Sequence, residues 1–415
     1  MNAPSDTGVF RDFINASASM EVKPASALPA VDRVAVLGGG DDARLLAALC
    51  LAEGAEVRLF SAYATELQTL SRGIEINEHG PLGNYHVRTL DNASTSPMTP
   101  AVMTTGSIDH ALADANLVFL TGPVHKQRTY AMVLADHLLP HQIVVLPEAR
   151  TFGAFEAAQL LRTGGADSDI TLMELQGLPY WMRCEDAHAA RPLNLQPVPV
   201  LLAAAMPAAR TSACIQAVQR YLPMLEAAPS ALHSALHDIS ASVDIPALLL
   251  GGAALSRGGK PVPPGGQALP DNNNFHQLIG AEQRLVIAQL LQERHNVAAS
   301  LGIRDLPDTD VAIALRAGSE NGVGTRPVPT RDAANALVRD GILGSLAPLL
   351  DLARAVAQPA PLTESMIRLG ESILGNQISL GGRNLAGLGV GTGTAQDIFM
   401  QLESLSKNGL CEYAP

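Results

Sequence analysis

A glycine turn between two apolar strands constrains the fold of this chain most strongly. Residues 32–60 read DRVAVLGGGDDARLLAALCLAEGAEVRLF: an apolar run, three glycines, a helix-like segment and a second apolar run. This order is typical of the first unit of a parallel α/β sheet that binds a dinucleotide. Gly38, Gly40 and Ala43 occupy the three small positions of the G-x-G-x-x-G/A pattern. Small residues there let backbone N–H groups and a helix N-terminus approach a pyrophosphate.

Two aspartates directly after the turn argue against a phosphate site. Asp41 and Asp42 place carboxylates in the first turn of the helix, where they satisfy the same N–H groups and repel phosphate. A turn that only packs helix against strand is therefore the alternative. The second strand also lacks an acid for ribose hydroxyls, because Ser61 follows Phe60 at that position. Without that carboxylate we expect NADP or NAD, with NADP slightly favoured, although no arginine is adjacent to Ser61.

Strand-like and helix-like runs alternate up to about residue 205. Five β-rich runs predict buried strands, at 33–38, 56–60, 117–122, 142–147 and 169–175. Helical runs lie between them, so the pattern predicts a Rossmann-type doubly wound parallel sheet. Beyond it, the apolar residues follow helical spacing. We expect a loose tail over 1–30, a dinucleotide-binding-type domain over 31–205 and an all-helical domain over 206–415. Two Gly/Pro-rich loops, 256–274 and 317–330, are candidate lids or binding segments.

Composition restricts the partners of the protein. The formal net charge is −12, from 28 Lys+Arg against 40 Asp+Glu, which disfavours a broad nucleic-acid or anionic-membrane surface. A small anionic substrate still fits if arginines cluster locally. The four cysteines form no CxxC pair, and no apolar run reaches the roughly 18 residues of a membrane span. We expect a soluble, cytoplasmic protein with a homodimer as its candidate assembly.

Four further stretches are notable for their order and spacing. They are PEARTFGAFE (147–156), MELQGLPYWMRC (173–184), ERHNVAASLGI (293–303) and GGRNLAGLG (381–389). Together they resemble the octopine/nopaline (opine) dehydrogenase family, and the likeness covers most of residues 32–400. The resemblance implies a dinucleotide domain, a helical domain and an active site between them. It also implies an NAD(P)H-dependent reductive condensation of an amino acid's amine with a 2-oxo acid.

The resemblance suggests which side chains meet the substrate. Glu174, Tyr180 and Arg183 match the family's Glu…Leu-Pro-Tyr-x-x-Arg signature. Arg183 either holds a substrate carboxylate bidentately, as part of the catalytic group, or pairs with a neighbouring glutamate. Trp181 either covers the substrate or fills the domain interface. His276 either enters the cleft or caps a helix.

A second group of candidates belongs to the cofactor. In TGPVHKQ (121–127), Gly122, Pro123 and His125 follow a predicted strand, where the nicotinamide half of a dinucleotide would pass. The family has a histidine at a comparable place. The complete predicted cofactor site comprises Gly38, Gly40, Ala43, Ser61, Gly122, Pro123 and His125.

The chain departs from the family at the proton-handling pair. Asp244 stands where the family's catalytic histidine is expected, and Leu291 stands where its aspartate partner is expected. An ordinary aspartate, with a pKa of about 3.9, is ionised at pH 7 and accepts protons without donating them. Asp244 acts as an acid only if burial raises its pKa.

A polar stripe leads to Asp244 through an apolar segment. His233, His237, Ser240 and Asp244 are four, three and four residues apart, which predicts one face of a single helix. We favour a rebuilt site in which His237, or Asp244 with a neighbour, moves protons. A solvent-facing stripe is the alternative. A metal site is the weakest interpretation, because His-x-x-x-His lacks a third ligand, and we predict none.

Two functions from different classes follow from these patterns. The first is an NAD(P)H-dependent oxidoreductase acting on an imine or carbonyl derived from an amino acid and a 2-oxo acid. The second uses the same fold for a non-redox reaction, such as proton transfer or cyclisation in specialised metabolism, or for regulatory binding. The departures at Asp41, Asp42, Ser61, Asp244 and Leu291 favour the second. The retained family segments favour the first, which is the working hypothesis.

Overall fold

The structure is a computed structural model that describes residues 31–76, 85–91, 100–167, 169–183, 194–198, 200–251, 275–318, 326–375 and 377–411. The predicted tail over 1–30 and the loop 256–274 lie outside these ranges, as does the middle of the loop 317–330. No described helix is both long enough and apolar enough to cross a lipid bilayer.

Parallel strands dominate the N-terminal half. In chain order the strands are β1 Arg33–Leu37, β2 Glu56–Phe60, β3 Ile74–Ile76, β4 Tyr85–Val87, β5 Thr89–Asp91, β6 Val102–Thr105, β7 Leu117–Leu120, β8 Ile143–Leu146, β9 Thr171–Leu175, β10 Tyr180–Arg183, β11 Asn194–Pro197, β12 Leu201–Met206 and β13 Leu225–Ala227. Nine of these form one sheet in the order β13-β12-β9-β8-β7-β1-β2-β6-β5. Its strand pairs are parallel except β9 with β12. The predicted Rossmann-type parallel sheet is confirmed.

Helices connect the strands and then form the C-terminal part alone. In chain order they are α1 Asp41–Ala52, α2 Ala64–Leu70, α3 Ile108–Leu112, α4 Val124–Leu134, α5 Gly153–Thr163, α6 Thr211–Val218, α7 Ala231–Leu236, α8 Ser240–Leu250, α9 Ala281–Ser300, α10 Thr309–Ala317, α11 Arg331–Gly341, α12 Ala347–Ala355, α13 Pro361–Leu374 and α14 Ala395–Asn408. A π-helical turn, Ile342–Leu346, joins α11 to α12. The described chain after β13 is helical, as predicted.

The central strands are apolar because helices cover both faces of the sheet. Every residue of β7 and β8 is buried, which is typical of parallel strands packed between two helical layers. Along β1, Val34 and Val36 join the core cluster that contains α1, whereas Ala35 and Leu37 join the cluster on the other face. This alternation follows the two-residue period of a strand. The glycine turn follows Leu37 at the carboxyl end of β1, on the side where the C-terminal helices pack.

Two expectations differ from the structure. The polar stripe does not lie on one helix, because α7 ends at Leu236 and α8 begins at Ser240. The Asp238 carboxylate accepts the backbone N–H of Ser240 at 3.2 Å, so it satisfies an N–H group at the start of α8 and favours a new helix there. In addition, residue 205, the expected domain boundary, falls inside β12, and the sheet continues to β13.

Candidate active site between the sheet and the C-terminal helices

A cavity of about 740 Å³ lies where the glycine turn faces the helical part. Its sheet side includes Gly38, Gly40 and Gly122. Its helical side includes Arg316 and Arg326, and the β10 aromatic residues contribute a third wall. Residues distant in sequence therefore line one partly open space of a size that suits a small-molecule ligand.

The glycine turn has the geometry of a tight backbone cradle. Gly38 has a φ of +138°, and a Cβ built on it would overlap Oγ1 of Thr121. That hydroxyl donates to the carbonyl oxygen of Leu37 at 2.8 Å. Gly40 is the N-cap of α1, and Ala43 is fully buried beneath the turn. Side chains are thus excluded where the motif requires close approach.

The two aspartates after the turn behave differently. Asp41 accepts a hydrogen bond from Nη1 of Arg44 at 2.6 Å, within the first turn of α1. Asp42 instead accepts the backbone N–H of Ala43 at 2.9 Å and the backbone N–H of Gly122. Burial raises the pKa of Asp42 to about 6. The Asp42 carboxylate therefore already accepts hydrogen bonds from backbone N–H groups at the opening of the glycine turn.

The end of β2 carries a carboxylate that the sequence analysis missed. Ser61 is fully buried, and its hydroxyl donates to Oε2 of Glu66 at 2.5 Å. Oε1 of the same glutamate accepts a hydrogen bond from Nζ of Lys126 at 3.0 Å. Glu66 lies on α2, five residues past the expected position, so the strand-end rule did not reveal it.

The end of β7 is closed by a residue from the helical part. Pro123 is the N-cap of α4, and the backbone N–H of Val124 donates to Oδ1 of Asp340 at 2.7 Å. Gly122, Pro123 and Asp340 line the cavity. His125 does not line it and is exposed on α4, so the structure does not bring His125 to the cavity, and its place beside the cofactor stays a prediction.

Asp244 is not the acid that a catalytic role requires. Nη2 of Arg316 donates to its Oδ2 at 2.7 Å, and Nη1 of Arg326 donates to its Oδ1 at 2.5 Å. Although burial opposes ionisation, these two guanidinium groups hold the pKa of Asp244 well below its ordinary value. The carboxylate stays ionised and does not line the cavity. The raised pKa that an acid role of Asp244 requires is therefore not present, and its place among the catalytic residues stays a prediction.

Three arginines define the helical end of the cavity. Arg316 and Arg326, which the sequence analysis did not select, line it together with Arg150. Nη2 of Arg150 lies 3.4 Å from Glu148. The Arg326 guanidinium also lies over the ring of Phe275, 4.1 Å from its centroid. Two features of the sequence had pointed to these arginines. An anionic substrate would fit if arginines cluster locally, and Arg326 lies in the Gly/Pro-rich loop 317–330.

His237 is the one histidine among the described residues that line the cavity. It is 8% exposed and follows directly on α7. Its Nδ1 lies 2.9 Å from the carbonyl oxygen of His233, and its Nε2 lies 3.3 Å from that of Asp305. Burial lowers the pKa of His237 below the ordinary 6.5. The ring stacks on His233 with centroids 4.5 Å apart.

His233, His237 and Asp305 also approach metal-ligand spacing. Their potential ligand atoms lie within 4.8 Å of one another. Nε2 of His233 and Oδ2 of Asp305 are already 2.8 Å apart and satisfy each other as a hydrogen-bonded pair. Direct pairing accounts for this contact without an ion, and the expectation of no metal stays a prediction.

The candidate substrate residues separate into two groups. Tyr180 and Trp181 line the cavity on β10. Glu174 does not: it is 1% exposed within β9, accepts the backbone N–H of Ala154 at 3.3 Å, and burial raises its pKa to about 8. His276 lies outside the lining, with Nε2 2.5 Å from the carbonyl oxygen of Gly318. The structure therefore does not bring Glu174 and His276 to the cavity, their substrate contacts stay predictions, and the side chain of Arg183 lies outside the described part.

Comparison with known sequences gives one well-covered relative. No protein-family model matches the chain. The opine dehydrogenase of Arthrobacter sp. (strain 1C) is 24% identical over 376 residues, which cover 89% of this chain and 98% of that protein. The match therefore extends over both parts of the molecule.

Solved structures of similar fold include opine dehydrogenases and a ketopantoate reductase. Octopine dehydrogenase with NADH and L-arginine is 19% identical, with a TM-score of 0.60 and coverage of 92% of this chain and 99% of that one. Yersinopine dehydrogenase with NADP⁺ is 14% identical, with a TM-score of 0.56 and coverage of 90% and 99%. A ketopantoate reductase from Ralstonia eutropha is 16% identical, with a TM-score of 0.54 and coverage of 83% and 99%. The resemblance predicted from the sequence is thereby confirmed: the chain is similar to an opine dehydrogenase over most of its length and has the fold of octopine dehydrogenase.

Proposed function

We propose that this chain is an NAD(P)H-dependent oxidoreductase that reduces an imine or carbonyl formed from an amino acid and a 2-oxo acid. The observation that carries the proposal is the single cavity shared by the glycine turn and the arginines. Reduction of such a substrate needs a nucleotide at one end and a carboxylate anchor at the other, close enough to react. The relatives support the chemistry, since octopine dehydrogenase is described with NADH and L-arginine, and yersinopine dehydrogenase with NADP⁺.

The glycine end fits a dinucleotide in shape. Gly38, Gly40 and Gly122 line the cavity and expose backbone where a Cβ would meet neighbouring atoms. When bound there, NAD(P)H supplies the hydride. Asp42 opposes dinucleotide binding, because its carboxylate accepts the backbone N–H groups of Ala43 and Gly122. It must gain a proton or turn away before a pyrophosphate can accept those N–H groups.

The arginine end fits the carboxylates of the substrate. Arg316 and Arg326 share the carboxylate of Asp244, and Glu148, which also lines the cavity, lies 4.0 Å from Arg316 as a second, longer ion-pair partner. A substrate carboxylate would be held by charge-assisted hydrogen bonds to this pair. Asp244 thus acts as a positioning residue for the arginines, in place of the acid role expected from the sequence.

His237 is the candidate proton donor. Nδ1 lies next to the carbonyl oxygen of His233 and Nε2 next to that of Asp305, so Nε2, which makes the longer contact, must leave Asp305 to exchange a proton with the substrate. Burial lowers the pKa of the ring, which makes its protonated form a stronger acid. His233 and the exposed Asp305 connect the ring with solvent.

The second candidate function is a non-redox reaction on the same fold, and Asp42 is the observation that favours it. If its carboxylate holds the donors of Ala43 and Gly122 permanently, the cradle accepts no pyrophosphate. The cavity would then serve proton transfer at His237 on a carboxylate held by the arginines.

The test is oxidation of NADH and NADPH by the purified protein with a matrix of 2-oxo acids and amino acids. We expect cofactor oxidation that requires both organic substrates for at least one pair. Arg316→Met should abolish it, while the surface variant Arg368→Met should keep it, because Arg368 pairs only with Glu364 on an exposed helix face. Absence of oxidation across the matrix, together with no binding of either nucleotide, would contradict the proposal.

A further inference from the structure

The turn after β1 has three consecutive glycines, 38–40, and the nucleotide motif accounts for only two of them. The motif needs small residues at Gly38, Gly40 and Ala43, so Gly39 requires a separate reason. A Cβ built on Gly39 would lie 2.6 Å from Cβ of Glu66 and 2.7 Å from its carboxylate carbon. The third glycine is therefore required because the side chain of Glu66 lies directly against the turn.

Two neighbours hold the Glu66 carboxylate in that position. The hydroxyl of buried Ser61 donates to Oε2 at 2.5 Å, and Nζ of Lys126 donates to Oε1 at 3.0 Å. The side chain of Glu66 is 25% exposed, so it is anchored but accessible. Gly39 and Lys126 both line the cavity, and Glu66, which is not itself in the lining, contacts both of them from directly behind the proposed nucleotide site.

The nearby cations are already engaged. Lys126 pairs with Glu66 and lies over the ring of Tyr63, with Nζ 5.0 Å from the centroid. Arg58, on β2, donates to the carbonyl oxygens of His110 and Ala113. A phosphate on the ribose 2′ position would therefore meet a carboxylate and a lysine whose charge that carboxylate compensates. A ribose with free 2′ and 3′ hydroxyls would instead donate to a charged acceptor.

We propose that Glu66 is the residue that selects NAD(H) over NADP(H), by accepting the hydroxyls of the adenosine ribose and repelling a 2′-phosphate. The inference rests on the proposed nucleotide-dependent function. It reverses the slight preference for NADP that follows from Ser61 alone, because the serine positions a carboxylate from α2 at the place where the strand lacks one. Lys126 is the counterpart that would bind the 2′-phosphate if Glu66 lost its charge.

The test is a calorimetric titration of the full chain with NADH and with NADPH. We expect the wild type to bind NADH at least about tenfold more tightly, since hydrogen bonds to charged groups and like-charge repulsion are each of that order. Glu66→Gln should weaken NADH and strengthen NADPH, so that the preference disappears. Glu66→Gln with Lys126→Met should lose the gain for NADPH and keep the loss for NADH. Glu53→Gln, an exposed residue after α1, removes the same charge elsewhere and should change neither affinity.

The outcomes separate the inference from the function on which it rests. A wild type that prefers NADPH, or a Glu66→Gln variant that changes both affinities equally, would overturn the inference and leave an NAD(P)H-dependent enzyme. A protein that binds neither nucleotide would overturn both. Thermal unfolding of each variant identifies a loss of binding that comes only from misfolding.

Discussion

The glycine end of the cavity is formed by residues adjacent in sequence, whereas its arginine end is formed by residues far apart in sequence. The cradle comes from six consecutive residues, 38–43, whose small side chains and turn conformation follow from the local sequence. The arginine end joins Asp244 on α8, Arg316 on α10 and Arg326 beyond it, through ion pairs across 72 and 82 residues. The first end is recognisable without a structure, whereas the second is not.

The two ends also differ in how the charge of their carboxylate, Asp244 or Asp42, is compensated. At the arginine end, Asp244 is compensated by two guanidinium groups, so its charge persists and organises them. At the glycine end, no salt bridge among the described residues compensates Asp42, and desolvation raises its pKa to about 6. A buried carboxylate near neutral pKa changes charge easily, whereas a doubly paired one does not. We therefore expect pH to regulate the glycine end and to leave the arginine pair unchanged.

The largest effect should come from His237, the histidine that lines the cavity. We expect His237→Gln to lower kcat by about 10²–10⁴, the usual contribution of a general acid. Since burial lowers the pKa of this ring, wild-type reduction should decline as pH rises through a value below 6.5, and the variant should lose that dependence. Steady-state rates against pH measure both. His276→Gln, outside the cavity, is the control, and an equal loss in that variant would contradict the assignment.

A smaller effect should follow at the arginine end. We expect Arg326→Met to raise the KM for the carboxylate substrate about 10- to 100-fold, the equivalent of one charge-assisted hydrogen-bonded contact. Nucleotide affinity should stay within about twofold, because the arginine pair does not form the glycine cradle. Separate measurement of KM and of the nucleotide Kd distinguishes the two. A parallel loss of nucleotide binding would show that the ends are not separable.

At the glycine end, removal of a charge should strengthen binding. We expect Asp42→Asn to increase nucleotide affinity about tenfold at pH 8, because the wild-type carboxylate is then ionised and repels the pyrophosphate. Below pH 6, where Asp42 gains a proton, wild type and variant should converge. Calorimetry at pH 5.5 and pH 8 tests this, with Asp41→Asn as control, since Asp41 pairs with Arg44. A weaker-binding Asp42→Asn would mean that the aspartate supports the site.

The smallest functional effect should come from Glu174, which is buried within β9 of the sheet. We expect Glu174→Gln to leave kcat/KM unchanged. Its raised pKa of about 8 means that the folded state binds the proton more tightly than the unfolded state. The associated stability is present below the ordinary value of 4.5 and is lost as pH rises through about 8. Urea unfolding at pH 6 and pH 9 should show a loss of about 1–3 kcal/mol in the wild type that the glutamine variant lacks. A large loss of activity would return Glu174 to the substrate site.

The sequence predicted the fold well because strand and helix periods are local. β1, β2, β7, β8 and β9 all lie within the predicted runs. The alanine-rich β12 was not predicted, since alanine carries little strand preference and its burial comes from neighbours on both sides. The single helix expected over the polar stripe breaks near Asp238, whose carboxylate accepts a hydrogen bond from Thr151 at 3.0 Å. Such a contact across 87 residues leaves no local signal.

The candidate site was predicted less completely for the same reason. Gly38 and Gly40 were identified by the local spacing of the glycine motif, and Gly122 by its position directly after a predicted strand. Asp244 was identified by position, but its role changed once Arg316 and Arg326 were seen to bind it. Resemblance indicates where a residue lies, while its charge state depends on partners from distant segments.

The most direct test of the account is a calorimetric titration of the wild type and of Gly40→Asp with NADH. Gly40 is the N-cap of α1, and a Cβ there would already lie 2.8 Å from Oδ1 of Asp42, so an aspartate side chain would fill the cradle with a second charge. We predict micromolar binding by the wild type and none by the variant. Equal binding by both would place the nucleotide elsewhere, and no binding by either at millimolar NADH would contradict the dehydrogenase assignment and favour non-redox chemistry at His237.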